Sequence, residues 1–167
     1  MHLALTRDKA KAFPVVSDPA SYTSARIWHC SYRTLAPLQG FSSLQKLEIA
    51  TYPDLSFDIL SGLISLRTLQ VVHLPHISSL LPLARLTNLL RLSLSTLPSW
   101  DASGKVTIVE SLAPLAVLPV LEGLELFGVV PKDRRVDALL NSKTLKYVRV
   151  SKYPKPEEQR LRATFAA

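Results

Sequence analysis

The chain has 167 residues, 47% of them hydrophobic and 20% charged, and its 20 Lys+Arg against 13 Asp+Glu give a formal net charge of +7. That apolar content supplies a core for one domain and excludes a disordered chain, which would combine low hydrophobicity with a larger charge excess. A lone cysteine, Cys30, excludes a disulfide scaffold, and the longest uncharged run, Thr68 to Ala84, is broken by Pro75 and Pro82 and carries His73 and His76, so it does not read as a membrane span.

The first residues carry Arg7, Asp8, Lys9 and Lys11 where a signal peptide would need an apolar run, which leads us to expect a protein of the reducing cytoplasm. The basic excess is mostly C-terminal: residues 131–167 hold ten basic and four acidic side chains, whereas residues 100–130 hold one and four. A cationic end of this kind reads first as a solvated face, with a nucleic-acid footprint as the alternative.

Leucine organises the chain, with 31 copies in all and 25 of them between Leu35 and Leu126. Three stretches superpose without a gap: LAPLQGFSSLQKLEI from Leu35, LLPLARLTNLLRLSL from Leu80 and LAPLAVLPVLEGLEL from Leu112. Each opens Leu-x-Pro-Leu, continues with an apolar residue at every third position, and closes on Leu-x-Leu or Leu-x-Ile. Two weaker copies keep the frame, one through Phe57, Leu60, Leu63, Leu66, Leu69 and Val71, the other through Val136, Leu139, Ser142, Leu145, Val148 and Val150. Period three followed by period two is neither an amphipathic helix nor a hairpin protein; it predicts one β-strand and one tight helical or 3-10 return per repeat.

In chain order, residues 1–24 are expected to form an N-terminal cap with Phe13, Val15 and Val16 as its apolar part. A degenerate first strand follows, framed on Ala25, Trp28 and Cys30. The regular copies then begin at Leu44, Leu66, Leu89, Leu121 and Leu145, with an insertion from about Trp100 to Glu110 inside the long third step. Within it, Trp100 is expected to be core, a loop anchor being the other reading. Residues 25–152 are therefore the repeat region, and residues 153–167 a C-terminal cap, whose Pro156 and Glu157–Glu158 at the start and Arg160 and Arg162 at the end suit a helix and its dipole.

These copies resemble the leucine-rich-repeat family, in its short 22-residue class of internalin-like and phosphatase-regulatory-like proteins. The resemblance implies an α/β repeat fold: a solenoid with a parallel β-sheet on the concave face and short helical or 3-10 returns on the convex face. It also implies a non-catalytic module that binds a protein partner. One departure is plain. The family places an Asn after the strand, but Asn88 and Asn141 occupy other positions. The copies instead carry Tyr52-Pro53, Leu74-Pro75, Leu97-Pro98, Val130-Pro131 and Tyr153-Pro154, where proline removes an N–H that would need a partner.

Alternation along the strands assigns the exposed face. It predicts Ile27, His29 and Ser31 on the first strand, then Lys46, Glu48 and Ala50; Thr68, Gln70 and Val72; Arg91, Ser93 and Ser95; Gly123, Glu125 and Phe127; and Tyr147, Arg149 and Ser151. The candidate partner-binding residues are Lys46, Glu48, Gln70, Arg91, Glu125, Phe127, Tyr147 and Arg149, with Tyr153 extending the patch at its rim. Aromatics and arginine are the residue types that anchor protein interfaces. The bland alternative is that Glu125 and Arg149 form only an exposed cross-strand pair.

No constellation for catalysis, cofactor or metal is read from the chain. On one strand His29 and Cys30 point to opposite faces, and Cys30 reads as an inert core residue. His73 and His76 lack a third ligand of matching spacing. Glu48 and Glu125 lie three strands apart, about 14 Å, too far for a glycosidase pair. Gly123 and Gly128 flank a strand rather than a phosphate loop. A single-domain repeat chain of this size is expected to be a monomeric adaptor or inhibitor, in one version an immunity protein against a toxin of its own cell. The alternative is nucleic-acid binding through Lys143, Lys146, Arg149, Lys152 and Lys155, interleaved with Tyr147 and Tyr153.

Overall fold

The Leu-x-Leu segments become strands and the period-three segments become returns, in a computed structural model that describes residues 1–166. The main sheet is parallel, with strands β1 (His2–Thr6), β2 (Ser24–Trp28), β3 (Lys46–Ala50), β4 (Thr68–Val72), β5 (Arg91–Ser95), β7 (Gly123–Phe127) and β9 (Tyr147–Ser151) side by side in that order. Pairing is in register throughout: Leu3, Ala25, Leu47, Leu69, Leu92, Leu124 and Val148 share one row, and Leu5, Ile27, Ile49, Val71, Leu94, Leu126 and Val150 another. This is a leucine-rich-repeat solenoid.

The returns are single turns. Ala36–Gly40, Asp58–Leu60 and Leu81–Arg85 are 3-10, while α2 (Ala113–Ala116) and α3 (Asp137–Leu140) are one turn of α-helix. Pro37, Pro82 and Pro114 sit in their first turns, where the missing N–H costs no bond. Just upstream, Thr34, Ser56, Ser79 and Ser111 each accept a bond from the backbone N–H two residues on, at 3.0 to 3.2 Å, so every such turn starts with a donor satisfied. The apolar row of each return, such as Leu38, Leu60, Leu83, Leu115 and Leu139, is fully buried with the strand leucines in one continuous cluster. Burying a leucine contributes roughly 1.5–3 kcal/mol, and a leucine every third position makes the stack the main stabilising term.

The strand exits carry a second repeat. The residue immediately after the strand adopts a left-handed conformation at Arg7, His29, Thr51, His73, Gly128 and Lys152. At four of them the N–H donates to the last carbonyl of the next strand, from Arg7 to Trp28 at 2.8 Å, His29 to Ala50 at 3.1 Å, and Thr51 to Val72 and His73 to Ser95, both at 2.7 Å, while the Gly128 N–H donates to Ser151 Oγ at 3.0 Å. This backbone ladder does the work of the absent Asn ladder. The apolar half of each apolar-proline pair then turns inward, with Tyr52, Leu74, Val130 and Tyr153 buried.

The insertion is ordered. It contains α1 (Pro98–Ala102) and β6 (Thr107–Val109), which pairs in parallel with β8 (Val129–Pro131) as a separate two-stranded sheet. At the C-terminal end α4 (Lys155–Thr164) buries Leu161 and is tied to α3: Glu157 accepts from the Val136 N–H at 2.9 Å, and Arg160 bridges Glu157 and Asp137 at 3.1 and 2.6 Å. Beyond it, Ala166 pairs with the outer edge of β9.

Three expectations need correction. The segment 1–24 contributes a further strand, β1, and of its apolar residues Phe13 and Val16 pack on the core while Val15 is wholly exposed. The first repeat strand lies three residues earlier than the expected frame, Ala25 pairing with Leu47 and Ile27 with Ile49, so Ala25 and Ile27 are buried and Arg26 and Trp28 face outward. Cys30 lies beyond the strand, half-buried, not at an inward strand position.

Gly128 offers a direct test of the exit geometry. It sits at φ +71°, and a Cβ there would fall 2.5 Å from Thr96 Oγ1. Gly128→Ala is expected to cost about 1–3 kcal/mol, read as a lower urea midpoint with unchanged slope.

Candidate functional site

The concave face is built from three rows of outward side chains. One row runs Ser24, Lys46, Thr68, Arg91, Gly123 and Tyr147, the next Arg26, Glu48, Gln70, Ser93, Glu125 and Arg149, and the third Trp28, Ala50, Val72, Ser95, Phe127 and Ser151. The middle strands carry mostly small or short polar groups. The two flanks carry aromatics with arginines: Arg26 lies 4.3 Å over the Trp28 ring, and Arg149 5.9 Å from the Phe127 ring centre. Strands about 4.8 Å apart put β2 and β7, four steps away, about 19 Å from each other, so the face is a trough with two aromatic walls.

Tyr147 is positioned by a missing side chain. A Cβ on Gly123 would collide with its ring, so glycine lets the ring lie down on the sheet and glycine in turn is buried by it. The ring's hydroxyl reaches Glu125 and donates to Oε1 at 3.3 Å, and Arg149 Nη1 meets the same oxygen at 3.4 Å. Burial, then the Glu125 charge, holds the Tyr147 phenol above its ordinary range, which keeps it a donor. Beside it Thr68, Gln70, Arg91, Ser93 and Glu125 line a shallow cleft of about 170 Å³. A second cleft, of about 210 Å³, lies between β9 and α4 and is lined by Phe127, Arg149, Val150, Glu158 and Arg162 among others.

Eight of the nine candidate residues lie on this face: Lys46, Glu48, Gln70, Arg91, Glu125, Phe127, Tyr147 and Arg149. Tyr153 does not. It is 6% exposed and its hydroxyl donates to the Val129 carbonyl at 2.8 Å, so it is a core residue of the strand exit. Three exposed-face assignments are also shielded: Ile27, Ala50 and Gly123 are buried. Missed were Arg26 and Trp28. The signal for them was the 22-residue step itself, because counting back from Leu47 and Ile49 lands on Ala25 and Ile27.

Trp100 is not core. It is half-exposed and packs edge-on against His73, ring centres 5.1 Å apart, with Lys105 Nζ 5.8 Å from its centre. The same helix, α1, is held by Lys152, whose Nζ meets the Asp101 carbonyl at 3.0 Å and its carboxylate at 3.4 Å. Of the basic C-terminal residues, Lys146 pairs with Glu122 at 2.7 Å and Lys152 with Asp101, while Tyr153 is unavailable for stacking. No cluster of three metal-ligating side chains occurs among the described residues, and no helix among them is long and apolar enough to cross a membrane.

Compared with protein-family models and with curated proteins, the sequence matches none. Among solved structures, the chain is similar to the crystal structure of internalin C2 from Listeria monocytogenes str. 4b F2365, with a TM-score of 0.59 and 20% identity over 89% of this chain and 71% of that one. At that identity the likeness establishes the leucine-rich-repeat fold.

His73 makes the exit rim sensitive to pH. Its Nδ1 is buried without a partner, and desolvation, then His76 and His29, hold its pKa below the ordinary histidine range. Well above about pH 6.5 the ring is neutral folded or unfolded and contributes no pH dependence. As pH falls through that value the unfolded chain takes up the proton first, so stability drops. The melting temperature should therefore decline from pH 7 towards pH 5, and His73→Asn, which tolerates the left-handed backbone, should flatten that decline.

Proposed function

We propose that the chain is a non-catalytic protein-binding module that recognises a protein partner through its concave sheet. The observation that carries this reading is the trough itself: half-exposed Trp28, Phe127 and Tyr147, with Arg26 against Trp28 and Arg149 against Phe127, stand on a seven-stranded sheet whose middle strands carry polar and small side chains and no aromatic. Aromatics and arginines ordered in advance lose little entropy on binding and are the usual anchors of protein interfaces.

An adaptor or an inhibitor, with an immunity-type protein as the narrower form, is the role such a binding face would serve. The basic C-terminal segment supports nucleic-acid binding less well, because Lys146 and Lys152 are paired with Glu122 and Asp101 and, of the two tyrosines interleaved with the lysines, only Tyr147 is accessible.

Affinity capture from native lysate should recover one stoichiometric protein with the wild type and lose it with the Phe127→Asp, Tyr147→Asp double variant, both folded by circular dichroism. Gly123→Ala, which forces Tyr147 off the sheet, should weaken the same capture by about tenfold. Equal capture by all three chains, or recovery of nucleic acid alone, would sink the concave-face reading.

A further inference from the structure

The charges of the trough do not balance, and their arrangement says what kind of surface it meets. This step rests on the concave-face reading. The face carries two carboxylates, and each is already engaged: Glu48 with Lys46 at 3.0 Å, Glu125 with Arg149 at 3.4 Å and with the Tyr147 hydroxyl at 3.3 Å. Its other two cations, Arg26 and Arg91, are exposed and have no carboxylate within ion-pair distance among the described residues. Their surroundings suit an anion. Gln70, Thr68 and Ser93 offer amide and hydroxyl donors beside Arg91, and the one acid there, Glu125, has an oxygen occupied by Arg149 and Tyr147.

We propose that the partner presents an acidic segment to the trough, with carboxylates meeting Arg91 in its cleft and Arg26 on the Trp28 wall. The two arginines stand on β2 and β5, three strands or about 14 Å apart across the sheet. An extended chain covers that distance in about four residues, so acidic side chains with that spacing reach both guanidiniums. Guanidinium forks donate two parallel N–H bonds to a carboxylate, and such pairs fix register and raise association rates. A protein carboxylate is favoured over a phosphate backbone because Glu48 and Glu125 lie in the middle row, under the path a continuous polyanion would take, whereas discrete acids can avoid them.

Fluorescence anisotropy tests this with a labelled dodecapeptide, (Glu-Ser-Gly-Ser)3, whose acids recur every fourth residue, and with (Lys-Ser-Gly-Ser)3 and dodecathymidylate as comparison probes. The glutamate peptide should bind, weaken with added salt, and lose about tenfold or more in affinity with Arg26→Glu, Arg91→Glu. A control variant, Lys132→Glu with Lys143→Glu, removes two exposed cations away from the main sheet and should change it less than about twofold. Absence of binding, equal weakening by both variants, or equally tight binding of dodecathymidylate overturns the proposal. Capture of a lysate protein that Phe127→Asp, Tyr147→Asp abolishes but Arg26→Glu, Arg91→Glu leaves intact would overturn the acidic-partner inference while the concave-face reading stood.

Discussion

In-register parallel stacking is the constraint from which the molecule follows. A five-residue strand cannot bury its two inward side chains alone; it does so only when the strand before and the strand after present theirs at the same height. The rows from Leu3 to Val148 and from Leu5 to Val150 are that condition made visible. Once it holds, the outward rows are registered too, and residues 20 to 30 apart in sequence become neighbours at strand spacing. Arg26, Arg91, Glu125 and Tyr147 belong to one face because the leucines beneath them are aligned.

The same constraint explains how the array tolerates its irregular step. Ten extra residues between β5 and β7 would leave unpaired backbone if they ran across the core. Instead they leave at the strand exit through α1 and return through β6, whose pairing with β8 satisfies the inserted backbone away from the main sheet. The pairing of β5 with β7 then keeps the register of its neighbours, Arg91 opposite Gly123 and Leu94 opposite Leu126. Trp100 is carried outside the core by this detour, and its contact with His73 replaces the burial that its size suggests.

What the sequence made legible tracks how strongly leucine marks a position. The three clear repeats and the two weaker copies could all be framed to the residue, since a one-position slip would put leucine in water. Where leucine is replaced, the frame weakens. Ala25 and Ile27 are less insistent than Trp28 and Cys30, which drew the strand three residues too far, and β1, with Leu3 and Leu5 only, passed for a cap. Tyr153 failed for a different reason. Its position follows Leu74 and Val130 in the exit column, but a tyrosine beside Tyr147 and Arg149 reads as surface until its hydroxyl is seen to donate to Val129. The exit ladder was hidden because Arg7, His29, Thr51, His73 and Lys152 share a backbone conformation and no side-chain chemistry.

The glycine at position 123 shows how fold and surface are joined. At an outward strand position glycine weakens the strand, since it packs nothing and raises the entropy of the unfolded chain. Here the space it leaves is filled by the next strand's tyrosine, so the sheet is sealed by a residue that also carries a hydroxyl into the middle of the concave face. That hydroxyl, with Arg149, turns Glu125 towards the β9 side of the trough, and Arg91, in the same row as Gly123 and Tyr147, is left without an acid. The absence of a side chain at one position thus sets the orientation of a carboxylate two residues on. It also leaves unbalanced the charge of an arginine on the neighbouring strand, which is the feature the proposed acidic partner would meet.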